Sequence, residues 1–330
     1  MLAAITGGTG FIGRHLVTSL VEQGIRVRVL TRRPEILRRL WPRGDVDPWV
    51  GDLTMPETLR GFPKSARVVY HLGGETRDPH RFNMVNATGT KNLMKACCDQ
   101  ELTRFVHLSS VGVIGANGVG VVDESTPCHP KNAYERSKYG GEQMALAAFK
   151  EFQIPVALIR PTIVFGEGAN QDRDSLAPWL TAIQKGWFRF VGTGDSVANY
   201  IYVGDVVRAC LLLAETDEAA GEVYIVSDSC SLRDFVGAAT EFLEVKMPGH
   251  LPAWLAYTLA LCFEVVGRVT NFSPPLTMGR VRALTSGVVY SSDKLRKELG
   301  FSPAVGWREG LLRTLRWYKQ NKLLSFSLSS

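Results

Sequence analysis

The chain has 330 residues, 45% of them hydrophobic and 21% charged, with a formal net charge of +6. This is the composition of a soluble globular protein large enough for one big domain or two unequal lobes, and it leaves disorder only for the tail Ser325 to Ser330. The positive charge gathers between Arg26 and Arg43 and between Arg308 and Lys322, without interleaved exposed aromatics or a known reader motif, so solvated helix faces fit it better than nucleic-acid binding.

In chain order, Leu2 to Thr6 is a short apolar run, followed by a glycine-rich turn and a helical pattern from Phe11 to Gln23 that Gly24 ends. Arg26 to Leu30 alternates as a strand. Val68 to Leu72, Phe105 to Ser109 and Val156 to Arg160 are further strands, with helices over Met84 to Cys98 and Tyr134 to Phe152. This alternation predicts an α/β protein with a doubly wound parallel sheet. After Arg160 the pattern loosens into Pro, Gly and polar turns, including the irregular loop Gly168 to Ser175. That region suits a smaller C-terminal substrate-binding lobe. The division is residues 1–160 as a Rossmann domain and 161–330 mainly as the lobe, with segments of about 199–226 returning to the first domain.

The longest apolar stretch, Leu251 to Val266, is shorter than the roughly 20 residues needed to cross a bilayer and carries Glu264. It reads as a core helix, a lid, or a helix in peripheral contact with a membrane. Six scattered cysteines lack paired or metal-ligand spacing, which points to a reduced, cytoplasmic chain and no metal. A strand expected almost at Met1 leaves no room for a signal peptide.

Three features carry chemistry. Gly7-x-x-Gly10-x-x-Gly13 follows a strand and opens a helix. There the glycines allow a tight turn, backbone approach to a pyrophosphate and close helix packing, with the helix N-terminus favouring phosphate. Thr9, Phe11 and Ile12 complete this turn. At the end of the second strand, Arg32 and Arg33 stand where an acidic residue would hold a ribose; arginines there pair with a 2′-phosphate, which favours NADP(H) over NAD(H). Tyr134 and Lys138 lie one turn apart on one helix face, where an ammonium beside a phenol lowers the phenol pKa and prepares it for proton transfer. Ser109 and Ser110 close a strand at the edge where such sheets bind ligands. Asp52, after Gly51, fits either an adenine contact or a cap for a helix starting near Thr54. His71 reads as a packed histidine.

Together the segments TGGTGFIG, GDL, HLGG, NATGTKNL, LSSVGVIG, YERSK and RPTIVFG resemble, in order and spacing, an extended short-chain dehydrogenase/reductase of the NAD-dependent epimerase/dehydratase superfamily. The similarity covers nearly the whole chain. The resemblance implies Tyr134 as proton donor or acceptor, Lys138 on the nicotinamide ribose, and Ser110 polarising the reacting oxygen. It also implies Asp52 and Leu53 beside the adenine, Leu72, Gly73 and Gly74 along the cofactor, and Pro161, Thr162 and Ile163 beside the nicotinamide. Asn86 is implied as a positioning residue. Ile114, where many relatives have Tyr, suggests a less polar substrate side.

Among branches of the family, the tail is similar to 3β-hydroxysteroid dehydrogenase-like and dihydroflavonol reductase-like members. The expectation is an NADP(H)-dependent oxidoreductase interconverting a secondary alcohol and a ketone on a lipophilic, sterol-like substrate. A nucleotide-sugar epimerase/dehydratase is the alternative. It usually needs an Arg just before Tyr200–Val203, where Val197, Ala198 and Asn199 stand, so Arg189, Arg208 or Arg173 would have to substitute. A non-catalytic NADP-binding sensor is the third reading. A homodimer is expected through the Tyr–Lys helix, with Gly140, Gly141, Ala145 and Ala148 as exposed small residues.

Overall fold

The computed structural model describes residues 1–115, 119–169, 176–270 and 276–323. Arg173, Asn271–Pro275 and the tail Ser325–Ser330 lie outside them.

Seven parallel strands form the central sheet: β1 (Leu2–Thr6), β2 (Arg26–Thr31), β3 (Val46–Val50), β4 (Val68–His71), β5 (Arg104–Leu108), β6 (Val156–Pro161) and β7 (Val223–Val226). Their order is β3-β2-β1-β4-β5-β6-β7, so the chain reverses direction across the sheet between β1 and β4. Ile5 is paired with Val29 on one side and Tyr70 on the other. Ligands bind at the carboxyl edge beside such a reversal.

Side chains alternate between two buried faces. Ala3 and Ile5 meet α1 (Phe11–Glu22) through Leu16, Val17 and Leu20. Ala4, Val69 and Phe105 meet α3 (Gly89–Cys97) and α4 (Ala133–Phe152) through Leu93, Met94 and Ala145. Burial on both faces explains why these strands read as apolar runs. β3 escaped that pattern because it is an edge strand carrying Pro48, which such a position tolerates. α2 (Pro34–Leu40) joins β2 to β3.

Two local expectations differ from the structure. The helix expected from Thr54 is a single 3₁₀ turn, Pro56–Leu59. The helix expected from Met84 begins as a π-helical stretch, Asn83–Thr88, before α3.

Outside the central sheet the chain builds short two-stranded pieces. Ile163–Phe165 pairs with Tyr200–Tyr202, Phe190–Val191 with His250–Leu251, Val197–Ala198 with Cys230–Ser231, and Val119–Val122 with Gly287–Tyr290. Helix α5 (Ala177–Gln184) belongs to this region. α6 (Val203–Glu215) returns to the sheet beside α1, followed by β7. α7 (Leu232–Leu243), α8 (Ala253–Thr270), α9 (Met278–Leu284), α10 (Asp293–Leu299) and α11 (Gly306–Gln320) complete the chain. An aromatic core holds the lobe: Tyr200 stacks on Phe235 at 4.5 Å, and Phe165 meets both Tyr202 and Phe235 edge-on. The fully buried Asp205 of α6 ties the lobe back by accepting from the amides of Ala304, Val305 and Gly306.

Candidate active site

The turn after β1 is held together by contacts only glycine permits. Gly7 sits at φ +73°, and a Cβ on it would lie 2.6 Å from the Gly73 nitrogen. A Cβ on Gly13 would lie 2.1 Å from the Gly7 carbonyl oxygen. The turn therefore presses against the strand end Leu72-Gly73, and α1 packs against the turn. Gly10 caps α1 without a side chain, leaving the first amides of α1, from Phe11 and Ile12 onward, for an anion. Thr9 is half-exposed beside them.

Around this turn, Thr6 Oγ1 accepts from the Gly73 amide at 3.0 Å, and Leu53 packs beside Gly73. Asp52 makes local contacts. One carboxylate oxygen accepts from the amide and hydroxyl of Thr54, both at 2.9 Å, and the other lies 3.5 Å from the Arg32 guanidinium. Burial raises the Asp52 pKa, but these hydrogen bonds and Arg32 outweigh it and hold the carboxyl below its usual range. Arg32 is largely exposed, and the Arg33 amide donates to Thr31 Oγ1.

At the ends of β5 and β6, Ser109 Oγ and Thr162 Oγ1 are buried without a protein partner. Buried polar atoms are nearly always satisfied, so orphaned hydroxyls on a ligand-binding edge are places where a ligand completes the bonding. Pro161 ends β6, and the apolar Ile163 is 49% exposed. Orphan hydroxyls, glycine-only approaches and an open helix N-terminus together fit a nicotinamide dinucleotide. Gly7 to Gly13 would take the pyrophosphate, and the residues around Ser109 and Thr162 the nicotinamide end.

Lys138 and Ser110 lie at this edge, with Tyr134 one turn before Lys138 on α4. α4 starts with a capping box between Asn132 and Glu135, which places Tyr134 in the first turn. The half-buried Tyr134 ring meets Phe82 edge-on at 5.6 Å. Lys138, one turn later, is buried and donates to the Leu108 carbonyl at 2.5 Å. Its ammonium lies 4.0 Å from the point a Cβ on Gly74 would occupy. Ser110 caps the short turn Val111–Ile114, accepting from the Gly112 amide at 3.1 Å, so its own proton is free to donate.

One electrostatic expectation is corrected. The Tyr134 pKa is raised, first by burial and then by Glu135, rather than lowered by Lys138. The physical reason is that Lys138 is itself desolvated, its pKa pulled down to about 8 against the attraction of Glu142, and its ammonium is turned to the Leu108 carbonyl.

A polar network behind the site is only partly visible in the sequence. Asn86, in the π-helical stretch, accepts from the Glu75 amide at 2.7 Å and donates to the Glu75 carbonyl and to Ser137 Oγ, both at 2.9 Å. Ser137 donates to the Tyr134 carbonyl at 2.7 Å. Asn86 thus ties the loop after Gly74 to the Tyr–Lys helix. His71 is packed, as read, between Thr6 Oγ1 and Thr90 Oγ1, and burial lowers its pKa to about 3. No spacing rule would have found the Thr90 contact to His71 or the Ser137 contact to Asn86, because those partners are distant in sequence.

Three further expectations are corrected. Gly141, Ala145 and Ala148 are buried inside the chain; a Cβ on Gly141 would lie 2.5 Å from the Asn86 carbonyl oxygen, so they serve internal packing rather than a dimer surface. Ile114 packs with Val113, Val122, Ile225 and Val288 and does not shape a substrate surface. Arg189 is spent on the carbonyls of Gly186 and Phe188, and Arg208 on Ser302 and Asp205.

The fold and this edge define a nicotinamide-dependent enzyme of the extended short-chain dehydrogenase/reductase type. The family described as "NAD dependent epimerase/dehydratase family" matches residues 3–227, and the chain belongs to it. It is 30% identical to 3beta-hydroxysteroid-dehydrogenase/decarboxylase isoform 1 of Arabidopsis thaliana, over 94% of this chain and 78% of the relative. It is 31% identical to a 4-hydroxy-2-methyl-3-oxo-4-farnesyl-3,4-dihydroquinoline-1-oxide ketoreductase of Stigmatella aurantiaca, over 94% and 95%. Its fold is similar to that of UDP-glucose 4-epimerase from Thermotoga maritima, with a TM-score of 0.76, 23% identity and coverage of 98% and 100%.

Proposed function

We propose that this chain is an NADP(H)-dependent oxidoreductase that interconverts a secondary alcohol and a ketone on a lipophilic, sterol-like substrate. What supports it is that Ser110 follows β5, the buried Lys138 donates to the Leu108 carbonyl at the end of that strand, and Tyr134 lies one turn before Lys138 on α4, while among the described residues the candidate diphosphate arginines Arg189 and Arg208 are bonded elsewhere. A nucleotide sugar needs cationic groups for its diphosphate; Arg189 and Arg208 are tied to carbonyls, and Asn199 is held by Val288, Ser229 and Tyr290. The names of the sterol and quinoline relatives point the same way.

When bound, the nicotinamide supplies or accepts hydride at C4. The chain's own part is proton transfer and positioning. Ser110 donates its hydroxyl proton to the substrate oxygen, orienting it and offsetting negative charge as it develops. Tyr134 gives its phenolic proton to that oxygen in reduction and takes it back in oxidation. Lys138 holds the ribose hydroxyls and, as an ammonium, favours the phenolate once cofactor excludes water. Arg32 and Arg33 pair with the 2′-phosphate.

The test is a screen of ketones, sterols and nucleotide sugars that follows NADPH absorbance. Turnover of lipophilic ketones or sterols supports the reading. Turnover confined to nucleotide sugars replaces it with the epimerase/dehydratase alternative.

A further inference from the structure

Helix α8 is packed inside out for a protein surrounded by water. Its buried positions are the small residues Ala256 and Ala260, both 0% exposed, seated on Val191 and Val281. Its large apolar side chains point the other way: Trp254 is 71% exposed, Leu261 56% and Val265 54%. These three lie at i, i+7 and i+11, one stripe along the helix. The one acidic residue from Leu251 to Val266, Glu264, is drawn inward, accepting from the Met278 amide at 2.8 Å. A water-facing helix normally buries its large apolar groups and exposes charge, so a stripe of this kind marks an interaction surface.

The surroundings say what covers it. The ribbon that leads into α8 pairs Phe190–Val191 with His250–Leu251. Just before its other strand stands Trp187, 72% exposed, with the Lys185 ammonium 4.8 Å from its ring centre. Segments 185–188, 246–266 and 276–290 carry Lys185, Lys246, Arg280 and Arg282 against the single acid Glu264. Exposed tryptophans and an apolar helix face, with basic residues on the neighbouring segments, match a bilayer surface with anionic headgroups. Among the described residues no helix is long and apolar enough to cross a membrane.

We propose that α8 lies in the headgroup region of an anionic membrane, with Trp254, Leu261 and Val265 in the acyl boundary and the basic residues around it against lipid phosphates. The proposal rests on α8 and its neighbours alone and does not need the reading of the reaction.

The full chain would be sedimented with vesicles of phosphatidylcholine alone and with phosphatidylcholine containing phosphatidylserine. We expect binding to the anionic vesicles that weakens at high salt, and at least tenfold weaker binding to the neutral ones. Trp254→Glu combined with Leu261→Glu should lower anionic-vesicle binding at least tenfold. Both sites are exposed, so the thermal midpoint and circular dichroism should stay the same; Lys185→Glu, which leaves α8 untouched, gives a second reading through a smaller loss. No binding to anionic vesicles, or binding that both variants leave unchanged, overturns the proposal. So does a dimer in light scattering that the Trp254→Glu, Leu261→Glu pair dissociates, since the stripe would then belong to a second copy.

Discussion

Helices α4 and α8 both turn small residues inward, and they differ in what they show to the outside. On α4, Gly141, Ala145 and Ala148 are buried, while Arg136, Gln143, Lys150 and Glu151 are exposed. On α8, Ala256 and Ala260 are buried while Trp254, Leu261 and Val265 are exposed. Small residues mark where a backbone must come close: on α4 it is the π-helical stretch carrying Asn86, on α8 the Phe190–Val191 strand and α9. The outer face then says what lies beyond. On α4 that face is largely charged and polar; on α8 it is apolar.

The largest effect that can break this comparison is on the reactive face of α4. Tyr134→Phe keeps the ring against Phe82 and removes only the proton. We expect kcat for ketone reduction at saturating substrate to fall about 10²- to 10⁴-fold, with NADPH affinity and thermal midpoint nearly unchanged. Activity within a few-fold of the wild type would mean that another group moves the proton and that α4 is merely structural.

The packing of the two helices can be separated next. Gly141→Val places branched carbon where even a Cβ would be 2.5 Å from the Asn86 carbonyl oxygen, and backbone cannot move aside cheaply. We expect a loss of about 2–3 kcal/mol in denaturant unfolding. Leu261→Ala on the outer stripe of α8 should cost at most about 0.5 kcal/mol in the same assay, because its side chain is already in solvent. Similar costs for both would show that the α8 stripe is covered within the molecule.

Much of the cofactor half was legible in the sequence because its constraints are local. A strand, three spaced glycines and a helix start specify one turn, and Gly7 and Gly13 stand where backbone leaves no room for a Cβ. Tyr134 and Lys138 were legible because helical periodicity alone puts them on one face. What was not legible depends on distant partners. Gly141 reads as a small exposed residue until Asn86, 55 positions away in the chain, is placed against it. Ile114 reads as a substrate contact until Val288 covers it. The lobe was least legible, since paired strands of two to four residues and an aromatic cluster leave no periodicity to read.

A smaller effect sharpens the cofactor reading. Arg32 already lies 3.5 Å from Asp52 and is largely exposed, so a 2′-phosphate can compete for its guanidinium. We expect Arg32→Ala with Arg33→Ala to raise the KM for NADPH about 10- to 100-fold, the equivalent of one or two charge-assisted hydrogen bonds, and to leave that for NADH within about threefold. Equal losses for both cofactors would assign the arginines to general attraction rather than to the phosphate.

The smallest effect concerns stability and runs opposite to activity. Burial brings the Lys138 pKa in the cofactor-free fold down to about 8, below the ordinary lysine value near 10.5. The unfolded chain therefore binds the proton more tightly than the fold does, and the charged lysine costs stability at every pH below about 8. Between about pH 8 and 10.5 the folded lysine is neutral while the unfolded one is still charged, so this cost fades as pH rises and is absent above that window. Lys138→Met removes the charge but leaves the Leu108 carbonyl without its donor, which offsets part of the gain by about 1 kcal/mol. We expect the cofactor-free variant to be more stable than the wild type by about 1–2 kcal/mol at pH 7, with the advantage shrinking toward pH 10, while turnover is lost. Unfolding curves at both pH values check it. A variant less stable at pH 7 would mean that the ammonium is well solvated in the fold, and that α4 pays nothing to keep a charge beneath the cofactor.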